Sequence, residues 1–384
     1  MTNSIQQKFY GLDHLRALAI TYVFLFHYFI LSGDEPAWLP CFAKFGWSGV
    51  DLFFVLSGFL ISLQLFGQIK FGQRISLRQF FIKRIFRIFP AYFLTVALYF
   101  CIPIFREKEA LPPLWKFITF TQNFGLNLKD SGTFSHAWSL CVEEHFYLLL
   151  PLMLLGLVLT GCFKKSYWLL ILLFILGFVL RWYSYNYLFL PKAGYEYNWM
   201  YWYKYIYYPT YNRLDGLLTG VTIAALYRFM PDLWQKLSQY GNLLLIISLM
   251  ILVGGYYLCY DPHGYYASIF GFPVVSIGYG FMVFGALSSD SFLYKWKSGI
   301  TTFIATLSYA IYLTHKGVIH LTHLLLKDCM LNSNLVLFIS ILACIAVAYL
   351  INVVVEKPFI KLGRKISHMI LMMPEIFFLI LLHK

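Results

Sequence analysis

An all-α fold that crosses a bilayer about ten times is what this sequence predicts, and three observations predict it. The 384 residues are 60% hydrophobic and 20% aromatic, only 12% are charged, and mean hydropathy is +0.68. That is too little polar surface for a water-soluble chain of this length. Apolar runs long enough to cross a hydrocarbon core recur from one end to the other. The loops between them carry lysine and arginine in alternation, the pattern that orients a membrane protein. Topology therefore accounts for the net charge of +13, and no nucleic-acid partner is expected.

The first run, LDHLRALAITYVFLFHYFIL at about 12–31, is interrupted by Asp13, His14 and Arg16 and lacks a small-residue cleavage site. It reads as a retained span and not a signal peptide. Further spans are predicted at about 48–66, 85–105, 138–160, 166–186, 212–229, 242–260, 267–288, 300–326 and 335–355. In the second, Gly49, Ser57 and Gly58 suit close helix approach. Basic residues fall on one side: Lys70, Arg74 and Arg78, then Lys164 and Lys165, Arg228 and Lys236, Lys295 and Lys297, and finally Lys357, Lys361, Arg364 and Lys365. The positive-inside rule makes that side cytoplasmic, with both termini there, and predicts a multi-pass protein of the cytoplasmic (inner) membrane. The opposite loops near 106–137 and 187–211 are long. The second is crowded with Tyr195, Tyr197, Trp199, Tyr201, Trp202 and Tyr203, an interfacial belt or a sugar-stacking platform. Residues 1–365 read as one transmembrane domain, and the apolar tail 366–384, which contains Pro374 and Glu375, as an interfacial helix or an extra span. Seven scattered cysteines indicate neither a metal centre nor a disulfide framework.

Ionisable groups inside spans are costly enough to mark function. Arg16 and His27 lie eleven residues apart in the first span, roughly 16 Å and three turns along a helix, so they face one side at different depths. On the outer side, His27, Asp51, His136, Glu143, Glu144, His145, Arg213, Asp215, His315, Lys316, His320 and His323 fall near one depth on separate spans. Such a set predicts a shared polar cavity, with Asp51, His136, Arg213, Asp215 and His315 as candidate substrate-binding residues. The pairing of Asp51 and Asp215 with Arg213 stays open. On the cytoplasmic side, LRQFFIKRIFRIFP sets Arg78, Lys83, Arg84 and Arg87 at the entry of the third span, a site for lipid headgroups or for a phosphorylated ligand that Arg16 would extend inward. A donor with an anionic head in the cytoplasm and a narrow reactive arm in the membrane has the shape of acyl-coenzyme A. Histidine, with a pKa near neutrality, suits removal of a proton from an acceptor hydroxyl.

Seven segments in order carry a resemblance: LDHLRALAITYVFLFH at 12–27, GWSGVDLFFVLSGFLI at 46–61, KRIFRIFPAY at 83–92, HAWSLCVEEHFYLLLP at 136–151, RLDGLLTG at 213–220, LSYAIYLTH at 307–315 and VEKPF at 355–359. On these the chain resembles the acyltransferase-3 family, membrane-bound O-acetyltransferases that modify cell-surface glycans. The resemblance implies that Arg16 and His27 form the family's Arg/His pair, His27 as the catalytic base and Arg16 on the coenzyme side, which makes Lys83, Arg84 and Arg87 of the basic cluster the further candidates for binding the coenzyme. It also implies that Glu143, or as second choice Glu144, belongs to the active centre and orients or charges the histidine. Many family members carry a fused extracytoplasmic hydrolase-like domain, whereas this sequence stops soon after VEKPF. Transfer is then expected to be completed by the membrane domain or passed to a separate extracytoplasmic acyltransferase. The expected function is transfer of an acyl group, most simply acetyl, from acyl-coenzyme A to a hydroxyl of a surface or lipid-linked saccharide, with membrane lipids as partners and no metal. The alternative class is a membrane carrier of a lipid-linked glycan or small metabolite.

Overall fold

A computed structural model describes residues 9–382, with side chains described as far as Met369. Every expected span is helical: α1 (Tyr10–Ser32), α2 (Gly49–Lys70), α3 (Leu77–Cys101), α4 (Trp138–Leu159), α5 (Ser166–Tyr183), α6 (Asp215–Phe229), α7 (Gly241–Leu258), α8 (Phe272–Leu287), α9 (Gly299–Leu326) and α10 (Ser333–Ile351). A further helix, α11 (Lys357–Leu382), follows. The tail's choice between interface and span turns on side chains beyond Met369, which lie outside the described residues.

Successive helices run in opposite directions. At one end Lys70 Nζ, closing α2, donates to the carbonyl of Arg228, closing α6 (2.6 Å), and the His14 ring at the start of α1 stacks on Trp296 just before α9. At the other end Trp38, after α1, donates to Asn334 at the start of α10 (2.9 Å). The first end gathers most of the lysines and arginines among the described residues and is called the basic end below.

Burial does not follow apolarity, as expected of a bundle solvated by lipid. Eight helical segments among the described residues are long and apolar enough to cross a membrane, and in the one containing α5 no residue of the most apolar stretch is buried. Two expected spans are not among the eight. Helix α6 has only 15 residues, and α9 carries Thr301, Thr302, Thr306, Ser308, Thr314, His315 and Lys316. Both are interior helices. The most extensive contact in the protein joins α6 to α2, and α9 is held between α1 and α10.

The α2–α6 crossing depends on glycine. A Cβ at Gly58 would overlap the Leu217 carbonyl, and one at Gly220 would overlap the Val55 carbonyl and the Phe59 amide. Gly49 likewise lies against the Ala19 carbonyl of α1. Ser57 instead faces a cavity described below. Gly220→Ala should therefore lower the thermal midpoint by an amount equivalent to roughly 1–3 kcal/mol or more of overpacking. Gly156→Ala, at a position with open space around it, should leave the midpoint unchanged. Fluorescence-detected size exclusion after heating checks both.

Candidate active site

Three imidazoles from three separate elements meet near the end opposite the basic one. Helix α1 supplies His27, α9 supplies His315, and the turn Ser135–Ala137 that leads into α4 supplies His136. Ring centroids are 4.8 Å apart for His27–His315 and for His136–His315, and 5.8 Å for His27–His136.

Backbone carbonyls fix where the protons sit, because a carbonyl only accepts. His315 Nδ1 lies 3.0 and 2.9 Å from the carbonyls of Ile311 and Tyr312, so it carries the hydrogen and Nε2 holds the lone pair. That Nε2 is 3.0 Å from His27 Nδ1, which also lies 2.9 Å from the Val23 carbonyl. His27 must donate from Nδ1 to both acceptors, and its own lone pair falls on Nε2. His136 donates from Nε2 to the Leu313 carbonyl (3.2 Å), which leaves its buried Nδ1 without a partner. Beside this group, Lys316 Nζ pairs with Glu107 (2.7 Å) and donates to Ser135 Oγ (3.2 Å). Burial works against ionisation of Glu107, but the neighbouring ammonium outweighs it and holds the carboxyl below the usual range.

From the basic end a cavity of about 1150 Å³ enters the bundle between α2, α3, α4 and α9. Arg16, Lys83, Arg84, Arg87, Glu143 and Glu144 line it, and Ser139 and Tyr312 line its inner part. The Tyr312 hydroxyl donates to the His136 carbonyl (2.6 Å) and accepts from Ser139 (2.5 Å). Its ring centre lies 5.7 Å from His136 and 6.0 Å from His315, so this tyrosine borders both the cavity and the imidazole group.

The expected outer cavity is thus divided. His27, His136 and His315 come together, whereas Asp51, Arg213 and Asp215 are committed to buried ion pairs: Arg213 with Asp51 (2.8 Å) and Arg181 with Asp215 (2.6 Å). Arg213 lies over the rings of Phe272, Tyr207 and Trp138 at 4.0, 4.5 and 5.0 Å. His145 pairs with Thr210 Oγ1 (2.8 Å), and the His323 ring packs on Tyr28.

Glu143 does not meet His27. It accepts a hydrogen bond from Tyr147 (2.5 Å), which lies beneath the Arg84 guanidinium. The reason is depth. His136 is level with His27, and seven further residues of helix carry Glu143 about 10 Å toward the basic end. Both carboxylates therefore belong to the basic cavity. Glu107, Arg181 and Tyr312 were missed by the sequence reading. A lone arginine closing the apolar run of α5 was a usable signal, while Glu107 in a loop gave none. Among the described residues no group of three or more His, Cys, Asp or Glu is arranged to hold a metal ion.

A family model described as an acyltransferase domain, that of acyltransferase-3, matches residues 9–353. A Staphylococcus aureus (strain COL) protein with a provisional O-acetyltransferase name is 28% identical over 371 residues, covering 92% of this chain and 58% of its own length. The peptidoglycan O-acetyltransferase OatA of Listeria monocytogenes is 28% identical over 334 residues, covering 81% and 49%. The O-acetyltransferase OatA of Staphylococcus aureus (strain NCTC 8325) is 32% identical over 158 residues, covering 38% and 24%. The chain spans about half the length of the curated relatives it matches over most of its own length. No solved structure matches it significantly.

Two predictions follow from this geometry. Glutamine at position 315 keeps an acceptor for His27 Nδ1 and leucine does not. His315→Leu should lower kcat by at least about tenfold with both KM values held, while His315→Gln keeps most of the rate. Glu107→Gln removes one partner of a buried pair and should cost roughly 3–5 kcal/mol. Because the folded-state pKa of Glu107 is depressed, the pair contributes fully above the ordinary carboxylate range and is lost as pH falls through the folded value. The gap in thermal midpoint between wild type and variant should hold from pH 8 to about 5 and close in stronger acid.

Proposed function

The chain belongs to the acyltransferase-3 family, and on that premise we propose that it is a multi-pass membrane O-acyltransferase that moves an acetyl group from acetyl-coenzyme A to a hydroxyl of a saccharide. The observation that carries this reading is the single cavity that begins among Arg16, Lys83, Arg84 and Arg87 and reaches Tyr312, which borders the imidazoles.

In this reading the phosphates of the coenzyme lie at the guanidinium and ammonium groups, whose donors match phosphate oxygens. The basic end faces the cytoplasm, where the donor is made. The pantetheine arm passes Glu143 and Glu144, two acids that temper the positive cavity and let product leave. The acceptor enters from the opposite face. His27 Nε2 takes the proton from its hydroxyl as that oxygen bonds to the thioester carbonyl carbon. The tetrahedral intermediate then collapses, the carbon–sulfur bond breaks, and the thiolate recovers the proton from the imidazolium. Carbonyl-fixed tautomers keep the basic nitrogen of His27 directed outward from the His315 contact in every cycle. The Listeria relative is named for peptidoglycan, which makes a glycan strand a suitable first acceptor to test.

The test is a transfer assay with radiolabelled acetyl-coenzyme A and purified protein. His27→Ala should reduce label transfer about 100- to 10,000-fold while expression and thermal midpoint hold. Arg84→Ala should raise the donor KM about tenfold or more and leave the acceptor KM alone. A wild-type protein that translocates saccharide without labelling it would overturn the assignment in favour of a carrier.

A further inference from the structure

A second cavity, of about 400 Å³, opens at the end opposite the basic one. Phe26, Trp47, Trp202, Tyr207, Tyr256 and Phe272 are among the residues that form its wall, and the exposed Lys44 and Tyr260 stand at its mouth. The loop 187–211, crowded with aromatic residues, thus turns part of its length inward: Trp202 and Tyr207 are buried, with ring centres 5.5 Å apart. A belt that only anchors the protein in headgroups would keep these rings at the lipid surface.

Two features tie the cavity to the imidazole cluster. Its wall residue Phe26 directly precedes His27, and their rings are 5.4 Å apart. Its floor residue Tyr207 packs on Trp138 at 4.9 Å, and Trp138 follows His136 by two residues. The floor is also rigid. Tyr207 and Phe272 rest on the Arg213 guanidinium, and Trp47 meets both edge-on at 6.4 and 6.0 Å.

We propose that this cavity is the acceptor subsite and that it takes a pyranose ring of a saccharide. The inference rests on the transferase reading above and adds the acceptor's position. A pyranose has one face of C–H bonds, which packs on aromatic π-faces whose quadrupole is negative, and an edge of hydroxyls. The cavity offers both complements among its lining groups: flat aromatic rings, and the polar groups of Tyr203, Tyr256, Tyr260 and Lys44. Its volume lies within the range of small-ligand sites and holds one or two sugar rings, not a long chain. The two cavities approach the imidazoles from opposite ends, so donor and acceptor need not share an entrance.

Trp47 and Trp202 report on occupancy without turnover. The protein in nanodiscs would be titrated, with no donor present, against three soluble tetrasaccharides: a neutral glucan, an N-acetylglucosamine oligomer and a uronic-acid oligomer. At least one should quench tryptophan fluorescence saturably. Tyr256→Ala, at the partly exposed rim, should weaken that binding and raise the acceptor KM, each about tenfold, with the acetyl-coenzyme A KM unchanged. Trp47→Leu should do the same more strongly, and the rim variant carries the test if that one does not fold. The proposal is overturned if no tetrasaccharide perturbs the fluorescence, if farnesol alone does so, or if Tyr256→Ala leaves both binding and acceptor KM unchanged. Saturable saccharide quenching sensitive to Tyr256→Ala, in a protein that transfers no acetyl to any acceptor, would uphold the subsite and overturn the transferase reading instead.

Discussion

The pairing of Arg213 with Asp51 is the constraint on which the remaining architecture depends. Both groups are almost fully buried in a protein whose surroundings are hydrocarbon, where a charge without a partner costs several kcal/mol. The pair therefore fixes the start of α6 against the start of α2, and the glycine contacts at Gly58 and Gly220 hold the same two helices closer to the basic end. The guanidinium then organises aromatic groups from three other segments: Trp138 at the start of α4, Tyr207 from the long loop and Phe272 at the start of α8. Setting Trp138 sets His136 two residues earlier, so one ion pair determines where an imidazole of the candidate centre stands.

Charge is sorted along the bundle axis. The cavity at the basic end holds arginines and a lysine with two glutamates, while the imidazole group has one adjacent cation, Lys316, whose charge Glu107 neutralises. Tyr312 and Ser139 lie at the boundary, joined to each other and to the His136 carbonyl by hydrogen bonds.

Much of this was legible in the sequence because lipid imposes simple rules. Ten helices were found from apolar runs, eight of them in segments long and apolar enough to cross a membrane, and the alternation of basic loops matches the two ends of the bundle. The basic cluster on α3 and Arg16 on α1 do share one cavity. Where the reading failed, it had to infer depth or partner from position alone. Glu143 and His136 were treated as level although seven residues separate them along one helix. Asp51, Asp215 and Arg213 were grouped with the histidines because they begin neighbouring spans, and only the fold shows that Arg181 on α5 completes a second pair. Glu107 lies in an irregular loop with no periodicity to register its inward turn. The tautomers of His27 and His315 depend on carbonyls three and four residues upstream, which any helical histidine has, so nothing in the sequence distinguishes them.

The polarity of α9 has a consequence for how the chain is assembled. A segment with five threonines and three buried polar side chains in succession, Thr314, His315 and Lys316, gains little from leaving water by itself, whereas α1, made nearly three hundred residues earlier, is apolar enough to enter the bilayer at once. The first helix must then wait through the synthesis of seven others, with His27 bonded to the Val23 carbonyl of its own helix, before His315 arrives. Docking on α1 supplies the polar groups of α9 with partners inside the bilayer, as Thr301 meets His14, Thr302 meets Asp13 and His315 meets His27 along the length of α1. The groups that complete the candidate centre are thus among those that tie the late helix to the first, and a ribosome-bound chain lacking α9 would hold an open seam in the membrane.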